Sequence, residues 1–346
     1  MVMSVAATKL GGLPRLPIQQ AQYRRRTLQF EGRPRTEVQS CCRTTGASER
    51  IAGLVEKDLG ARSLCAPLGL SCGKAFCLRA KFPDRNSVQM ATSNPYETAK
   101  LVNEYLLFHY GQGEEILPYP DGPTGALDFA ERAVTEMFEL DRLPAKARAL
   151  DVGCAVGRSS FTLSRVCEEV IGIDFSHAFV EAAHNLGQAG ESPYDRVDEG
   201  RLTTSLVARL PEGARPRCVS FEQGDAMALR DDLGTFDAVL LANLICRLPE
   251  PNRCLDRLHD LVKPGGQLVI TSPYTWLDDF TPPANWLGGF QHVQDGPIVT
   301  IDSLQSSLAG KFTLKIRRNL PFLIREHARK FQWSVAEGSL WERCDP

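Results

Sequence analysis

The chain has few of the features that fix a function at sight. No apolar run approaches the roughly 20 residues needed to cross a bilayer, so no membrane partner is expected. A net charge of -2 over 346 residues is too small to hold nucleic acid in bulk. None of the eleven cysteines forms a C-x-x-C pair, and no two of the six histidines stand at zinc-ligand spacing, so no metal site is expected. Scattered cysteines in odd number read as reduced thiols of an intracellular, cytoplasmic protein.

What is present divides in two. Residues 1–90 carry fifteen Lys or Arg against six Asp or Glu and show no sustained period of 2 or 3.6. Such a start reads as a disordered basic leader or as an organellar transit peptide, which would move the mature protein to a plastid or mitochondrion. Residues 91–145 are expected to form a helical cap. In "NPYETAKLVNEYLLFHYG" Asn94 can cap, Pro95 suits the first helical position and Glu97 completes a capping box. Leu101, Val102, Tyr105, Leu106 and His109 then share one face, and Gly111 ends the helix. A second helix is expected from about Ala126 to Glu139.

Residues 146–346 alternate strand and helix. Candidate strands are Ala149 to Val152, Val170 to Asp174, Cys218 to Gln223, Phe236 to Ala242 and Gln267 to Ser272, with a polar insertion at 190–216. Apolar runs that end in a polar residue or glycine suit a parallel sheet buried on both faces. A helix near Asp302 to Leu308, then "KFTLKIRR" and "RKFQWSVAEGSLWER", can add an antiparallel edge. The expected fold is a doubly wound α/β domain, which binds ligands beyond the carboxyl ends of its strands.

Those ends form a series. The first strand runs through Asp151 into "GCAVG", with Gly153, Cys154, Gly157 and Arg158. The second ends at Asp174, followed by Phe175 and Ser176; the third leads to Asp225 and Ala226; the fourth leads to Asn243, Leu244 and Arg247. A dinucleotide needs G-x-G-x-x-G to seat its pyrophosphate at a helix N-terminus, and "GCAVG" lacks that spacing. S-adenosylmethionine has no pyrophosphate. It needs close backbone approach, a carboxylate for its ribose hydroxyls and another near the adenine amine. Asp174, 21 residues beyond Gly153, and Asp225 are placed for these. Asp174 alone also suits a nicotinamide cofactor, and each acid singly reads as a cap or turn former. The set favours a class I methyltransferase over a nicotinamide-dependent oxidoreductase or a non-catalytic binding domain.

"NPYETAKLVNEYLLFHYG", "DVGCAVGRSSF", "VIGIDFSHAF", "LANLICRL", "SPYTWLDDFTP", "NWLGG" and "PFLIREHARKFQ" together resemble the methyltransferase domain of ovothiol biosynthesis proteins, over about residues 93–343. The resemblance implies a Rossmann-like, mostly parallel seven-stranded sheet and methyl transfer from S-adenosylmethionine to an imidazole ring nitrogen of 4-mercaptohistidine. It also implies dependence on a separate sulfoxide synthase activity for that substrate, because residues 1–90 are too short for such a domain and lack clustered histidines. The family pattern has an acidic residue where this chain has Cys246, a departure that bears on the acceptor.

Methyl transfer needs nucleophile and methyl carbon held in line at about 3 to 3.5 Å without water. An imidazole of typical pKa about 6.5 is largely neutral at pH 7, so a partner that fixes its tautomer suffices. Candidates around the acceptor are Tyr96, Tyr105 and His109 on the cap, and Tyr274, Trp276 and Asp278 or Asp279 after the fifth strand. Phe108 and Trp286 read as packing, Cys154 as a small filler, and His177 as a surface residue. Arg158 reads either as a contact for the methionyl carboxylate or as solvent-facing, and the basic cluster with Arg325 and His327 as a solvated edge in preference to a contact for a substrate carboxylate.

Overall fold

The computed structural model describes residues 94–292 and 296–344. The basic segment 1–90 and its two readings lie outside the described residues. In chain order come α1 (Ala99–Tyr110), α2 (Gly113–Ile116), α3 (Phe129–Thr135), β1 (Arg148–Val152), α4 (Arg158–Leu163), β2 (Glu169–Asp174) and α5 (His177–Ala189). Next are β3 (Glu191–Glu199), β4 (Leu202–Arg209), β5 (Val219–Gln223), β6 (Phe236–Ala242), α6 (Pro251–Leu261) and β7 (Val262–Ser272). The chain closes with β8 (Phe290–His292), β9 (Gly296–Ile298), α7 (Thr300–Leu308), β10 (Phe312–His327) and β11 (Lys330–Arg343).

Seven strands form one sheet in the order β10-β11-β7-β6-β1-β2-β5. The five from β7 to β5 are parallel, and the β10–β11 hairpin adds the antiparallel edge. The strand order reverses between β1 and β6, the crevice where such sheets take ligands. Side chains alternate across the sheet as a period of 2 requires. Leu150, Val152, Val239, Leu241, Leu268 and Ile270 pack on one face with α6 and α7. Ala149, Ala238, Leu240 and Val269 pack on the other with α3 and the hairpin. Each such aliphatic side chain contributes about 1.5 to 3 kcal/mol on full burial.

Several local expectations are corrected. The capping box at Asn94 and Glu97 does not open α1; those residues bracket a 3-10 turn, Pro95–Glu97. Thr98 is the N-cap instead, its hydroxyl accepting from the Leu101 N–H at 3.3 Å. Glu97 is spent elsewhere, accepting from the backbone N–H groups of His177 and Ala178 in the first turn of α5. The second helix is only Phe129–Thr135, because Asp128 takes a left-handed φ of 54° that breaks it from the preceding turn. The insertion at 190–216 holds the β3–β4 hairpin. The Pro-Gly-Gly of "LVKPGGQLVITS" lies within β7, where the pairing with β6 slips. Arg325 is no solvated edge: it is buried, donates to the Glu115 carbonyl at 2.8 Å and pairs with Asp198 at 3.0 Å. There it ties the far end of the hairpin to the end of α2 and to β3.

Candidate functional site

The turn after β1 is built from three left-handed residues, Gly153 (φ 77°), Ala155 (φ 47°) and Gly157 (φ 86°). The N–H groups of Gly153 and Cys154 both donate to the Ile173 carbonyl, which draws the turn against β2. A side chain at Gly157 would meet the Phe221 ring at 2.6 Å, and one at Gly153 would meet Leu244 at 3.0 Å. Both positions therefore need glycine on two counts, conformation and space.

Asp174 holds the same turn. Its Oδ2 accepts from the Ala155 N–H at 2.8 Å and its Oδ1 from the Ser176 N–H at 2.9 Å. Burial pushes its carboxyl up, opposed by those backbone donors. With one bond per oxygen, each keeps a lone pair for a ligand hydroxyl. Phe175, next in the chain, leaves its ring 61% exposed beside this acid. Asp225 uses Oδ1 to accept from the Met227 N–H at 2.8 Å, which leaves Oδ2 open next to buried Ala226.

Asp151 is 1% exposed, and Ser160 donates to its Oδ2 at 2.7 Å while Oδ1 has no partner among the described residues. Burial pushes its carboxyl up to about 7. An orphaned buried carboxylate oxygen at the glycine turn is the kind of atom a cationic amino group satisfies. Asn243 is also left-handed (φ 54°), with its N–H and side-chain oxygen both bonded to Thr271. Leu244 follows, packed over Gly153.

Three cofactor-side residues have other engagements. Burial pushes the Cys154 thiol well up, so it stays protonated, as a filler should. The Ser176 hydroxyl is spent on structure, donating to the Tyr96 carbonyl at 2.9 Å and accepting from the Phe179 N–H at 3.2 Å. Arg158 does not face solvent; it pairs with Glu131, lies 5.6 Å from the Tyr110 ring centroid, and leaves Nε unpartnered.

The cap brings aromatics to this corner. Tyr96 packs on Phe179 (centroids 5.7 Å) and Phe280 (6.4 Å), and Tyr105 lies 4.7 Å from Phe179. The Arg247 guanidinium sits 4.8 Å over Phe280 and donates to the Thr275 and Cys246 carbonyls, each at 3.0 Å. Burial pushes the Tyr96 phenol up, against the charge and hydrogen bonding of Arg247. Burial likewise pushes the Tyr105 phenol far up. His109 lies 5.8 Å from the Tyr105 ring and its Nδ1 is buried without a partner. Burial first, then the Arg158 charge, push this imidazole down to about 3, so it is neutral.

Tyr274 is the fourth left-handed non-glycine residue (φ 52°), and its hydroxyl donates to Glu337 Oε2 at 2.9 Å. Asp278 is not drawn into this group. It and Asp279 are exposed and make no ion pair among the described residues. Trp276 is core rather than wall, with its indole N–H on the Thr300 hydroxyl at 3.0 Å. Trp286 packs with its N–H on the Thr281 carbonyl at 2.8 Å, Phe108 is buried, and His177 is exposed. The sequence pointed to Arg247 only as a strand-end residue, and it did not point to Phe179, Phe280 or Glu337. Arg247 carried a signal, since it closes the segment after β6; Glu337 carried none.

Residues 150–270 match the family model described as a methyltransferase domain. The ubiquinone biosynthesis O-methyltransferase of Xanthomonas axonopodis pv. citri is 27% identical over 154 residues, 44% of this chain and 54% of that protein. The demethylmenaquinone methyltransferase of Deinococcus radiodurans is 33% identical over 113 residues, 31% of this chain and 42% of that protein. The chain thus spans about half the length of the curated relatives it matches. Among solved structures, the N-methyltransferase NodS from Bradyrhizobium japonicum WM9, in complex with S-adenosyl-l-homocysteine, covers 70% of this chain and 99% of its own. Its TM-score is 0.39 at 16% identity. The match to a methyltransferase domain over residues 150–270 favours S-adenosylmethionine as the cofactor over a nicotinamide, and the glycine spacing of "GCAVG", which lacks G-x-G-x-x-G, agrees with it.

Proposed function

We propose that the protein transfers a methyl group to an imidazole ring nitrogen of 4-mercaptohistidine, a step of ovothiol biosynthesis that depends on a separate sulfoxide synthase activity for its substrate. The observation that supports it is a cluster of aromatic rings, Tyr96, Tyr105, Phe179 and Phe280, packed together beside the acid at the end of β2. On this reading Asp174 takes the ribose hydroxyls, Asp225 the adenine amine, and Phe175 the adenine face. Asp151 and Asn243 attend the methionyl amino group, with Gly153, Cys154, Gly157, Ala226 and Leu244 shaping the wall. The cofactor, when bound, supplies a methyl group on a sulfonium.

The chain's own residues need do little acid–base work. A neutral ring nitrogen carries its own lone pair, so the aromatic cluster orients it and excludes water. His109, kept neutral, can act there only as a hydrogen-bonding group. Protonated Cys154 is no nucleophile. Incubation with 4-mercaptohistidine and S-adenosylmethionine tests the reading: mass spectrometry should show one added methyl on the ring, and an unmodified acceptor removes it.

A second acceptor within the same chemistry is favoured by one observation. Cys246 is fully buried, its sulfur 3.6 Å from Arg247 Nη1, where the ovothiol family pattern has an acid. Without a carboxylate there, Arg247 is open to an anionic group on the acceptor, and other small carboxylated molecules then compete with 4-mercaptohistidine in the same assay.

A further inference from the structure

The two phenols at the acceptor side are held by partners of opposite character. Around Tyr96 the cation is Arg247, which has donors and no acceptor. Tyr274 is held by a carboxylate. Glu337 stands on β11 directly across from Ser272, the last residue of β7, and its Oε2 takes the Tyr274 proton at 2.9 Å. Its Oε1 is occupied by Arg317, with Nε at 2.8 Å and Nη2 at 2.5 Å. An ion-paired carboxylate only accepts, so the Tyr274 hydroxyl has given its one proton away from the site and has only lone pairs left.

Tyr274 also keeps a left-handed backbone that a bulky residue seldom adopts, at the carboxyl end of a central strand. Strain of this kind persists where the surroundings enforce it and gathers at working sites. Arg247, whose charge and hydrogen bonding act on Tyr96, also bonds the carbonyl of Thr275, the residue after Tyr274, and so joins the Tyr274 loop to the Tyr96 side.

We propose that Glu337 is a positioning and specificity-determining residue: by taking the Tyr274 proton it makes that phenol a hydrogen-bond acceptor toward the substrate. The site therefore selects a molecule that presents an N–H there, such as a neutral azole whose other ring nitrogen carries the free lone pair. This rests on the reading of the aromatic cluster as the acceptor site. It deepens that reading by assigning the tautomer: the nitrogen facing Tyr274 keeps its proton during transfer, the opposite nitrogen receives the methyl as the sulfonium becomes a neutral thioether, and the resulting N-methylazolium then loses that proton to solvent.

Glu337→Gln tests it with little change of shape. Arg317 has only donors, so it keeps the amide oxygen on its own side and turns the amide NH2 toward Tyr274, whose O–H must then swing into the site. The tyrosine Raman doublet, whose intensity ratio distinguishes a donating from an accepting phenol, reads this directly once the Tyr274→Phe spectrum is subtracted. Tyr274 should change from donor to acceptor in Glu337→Gln; an unchanged ratio overturns the proposal. With 4-mercaptohistidine, KM should rise about tenfold or more in Glu337→Gln while the affinity for S-adenosylmethionine stays as it was. In the Tyr274→Phe background the same substitution should add nothing, and an equal rise in both backgrounds would mean a merely structural tie. Failure of the unsubstituted protein to methylate 4-mercaptohistidine would remove the acceptor reading, and the Raman comparison alone would then decide the role of Glu337.

Discussion

The side of the crevice proposed for the cofactor and the side proposed for the acceptor are made in different ways. The cofactor side comes from consecutive strand ends, and its acids are held by near neighbours in the chain: Asp174 by the Ser176 N–H, Asp225 by the Met227 N–H, and Asp151 by the Ser160 hydroxyl. The acceptor side is assembled from four distant segments, the turn at Tyr96, the turn at Arg247, the loop at Tyr274 and the hairpin strand at Glu337. The first belongs to the fold and goes with its cofactor. The second is a surface that the same sheet can change piece by piece.

Substitutions can break this separation or sharpen it. The largest effect is expected at Asp174→Ala, which removes the two oxygens proposed to take the ribose hydroxyls and releases the backbone of Ala155 and Ser176. Affinity for S-adenosylmethionine should fall by about 100-fold or more by calorimetry, since hydrogen bonds to a charged group are worth roughly 1.5 to 3 kcal/mol each. A change under threefold would remove the ribose assignment. Next is Arg247→Met, which should lower kcat/KM for the methyl acceptor by roughly 10- to 100-fold through lost hydrogen bonds and ring contact. Cofactor affinity should move less than twofold; a parallel loss would show that the two sides are not separable.

Among the protein's own groups, a pH dependence near neutrality is expected at Asp151, and it is read in the affinity for S-adenosylmethionine measured without acceptor. The carboxyl of Asp151 lies at about 7 in the cofactor-free protein, raised by burial, and a cationic amino group prefers its ionised form. Affinity should therefore weaken below pH 7, by up to about tenfold per unit, and Asp151→Asn should flatten the profile. The sign for stability is the reverse. A carboxyl raised from 3.8 to about 7 favours the fold most below 3.8, and that contribution is lost as pH rises through 7. Thermal melts of the cofactor-free protein should show a lower Tm at pH 8 than at pH 6, a difference that Asp151→Asn reduces. The smallest effect is expected at Glu97→Gln. Removing the charge that caps α5 should cost about 0.5 to 1 kcal/mol in denaturant unfolding.

The same division governed what the sequence could disclose. β1, β2 and β6 were legible because buried parallel strands are apolar runs, and Asp151, Asp174 and Asp225 because strand ends are local in sequence. Tyr96, Tyr105 and Tyr274 could be nominated by type, though not their partners. Glu337 lies 63 residues beyond Tyr274, and only the register of β11 against β7 brings them together. Arg325 misled for a related reason. A charge cluster ordinarily lies in water, and nothing local announced that Asp198 and the α2 carbonyls would bury this one.

Glu97 and Ser176 have a thermodynamic consequence. The Glu97 carboxylate grips the start of α5, and the Ser176 hydroxyl holds the Tyr96 carbonyl. The turn that presents Tyr96 is therefore fastened to the corner that begins at Asp174. A nucleoside that settles on Asp174 steadies this corner and with it one wall of the proposed acceptor site. On the proposed site such a linkage predicts that each ligand raises the affinity for the other by the same factor, which acceptor binding measured with and without S-adenosylhomocysteine reads directly.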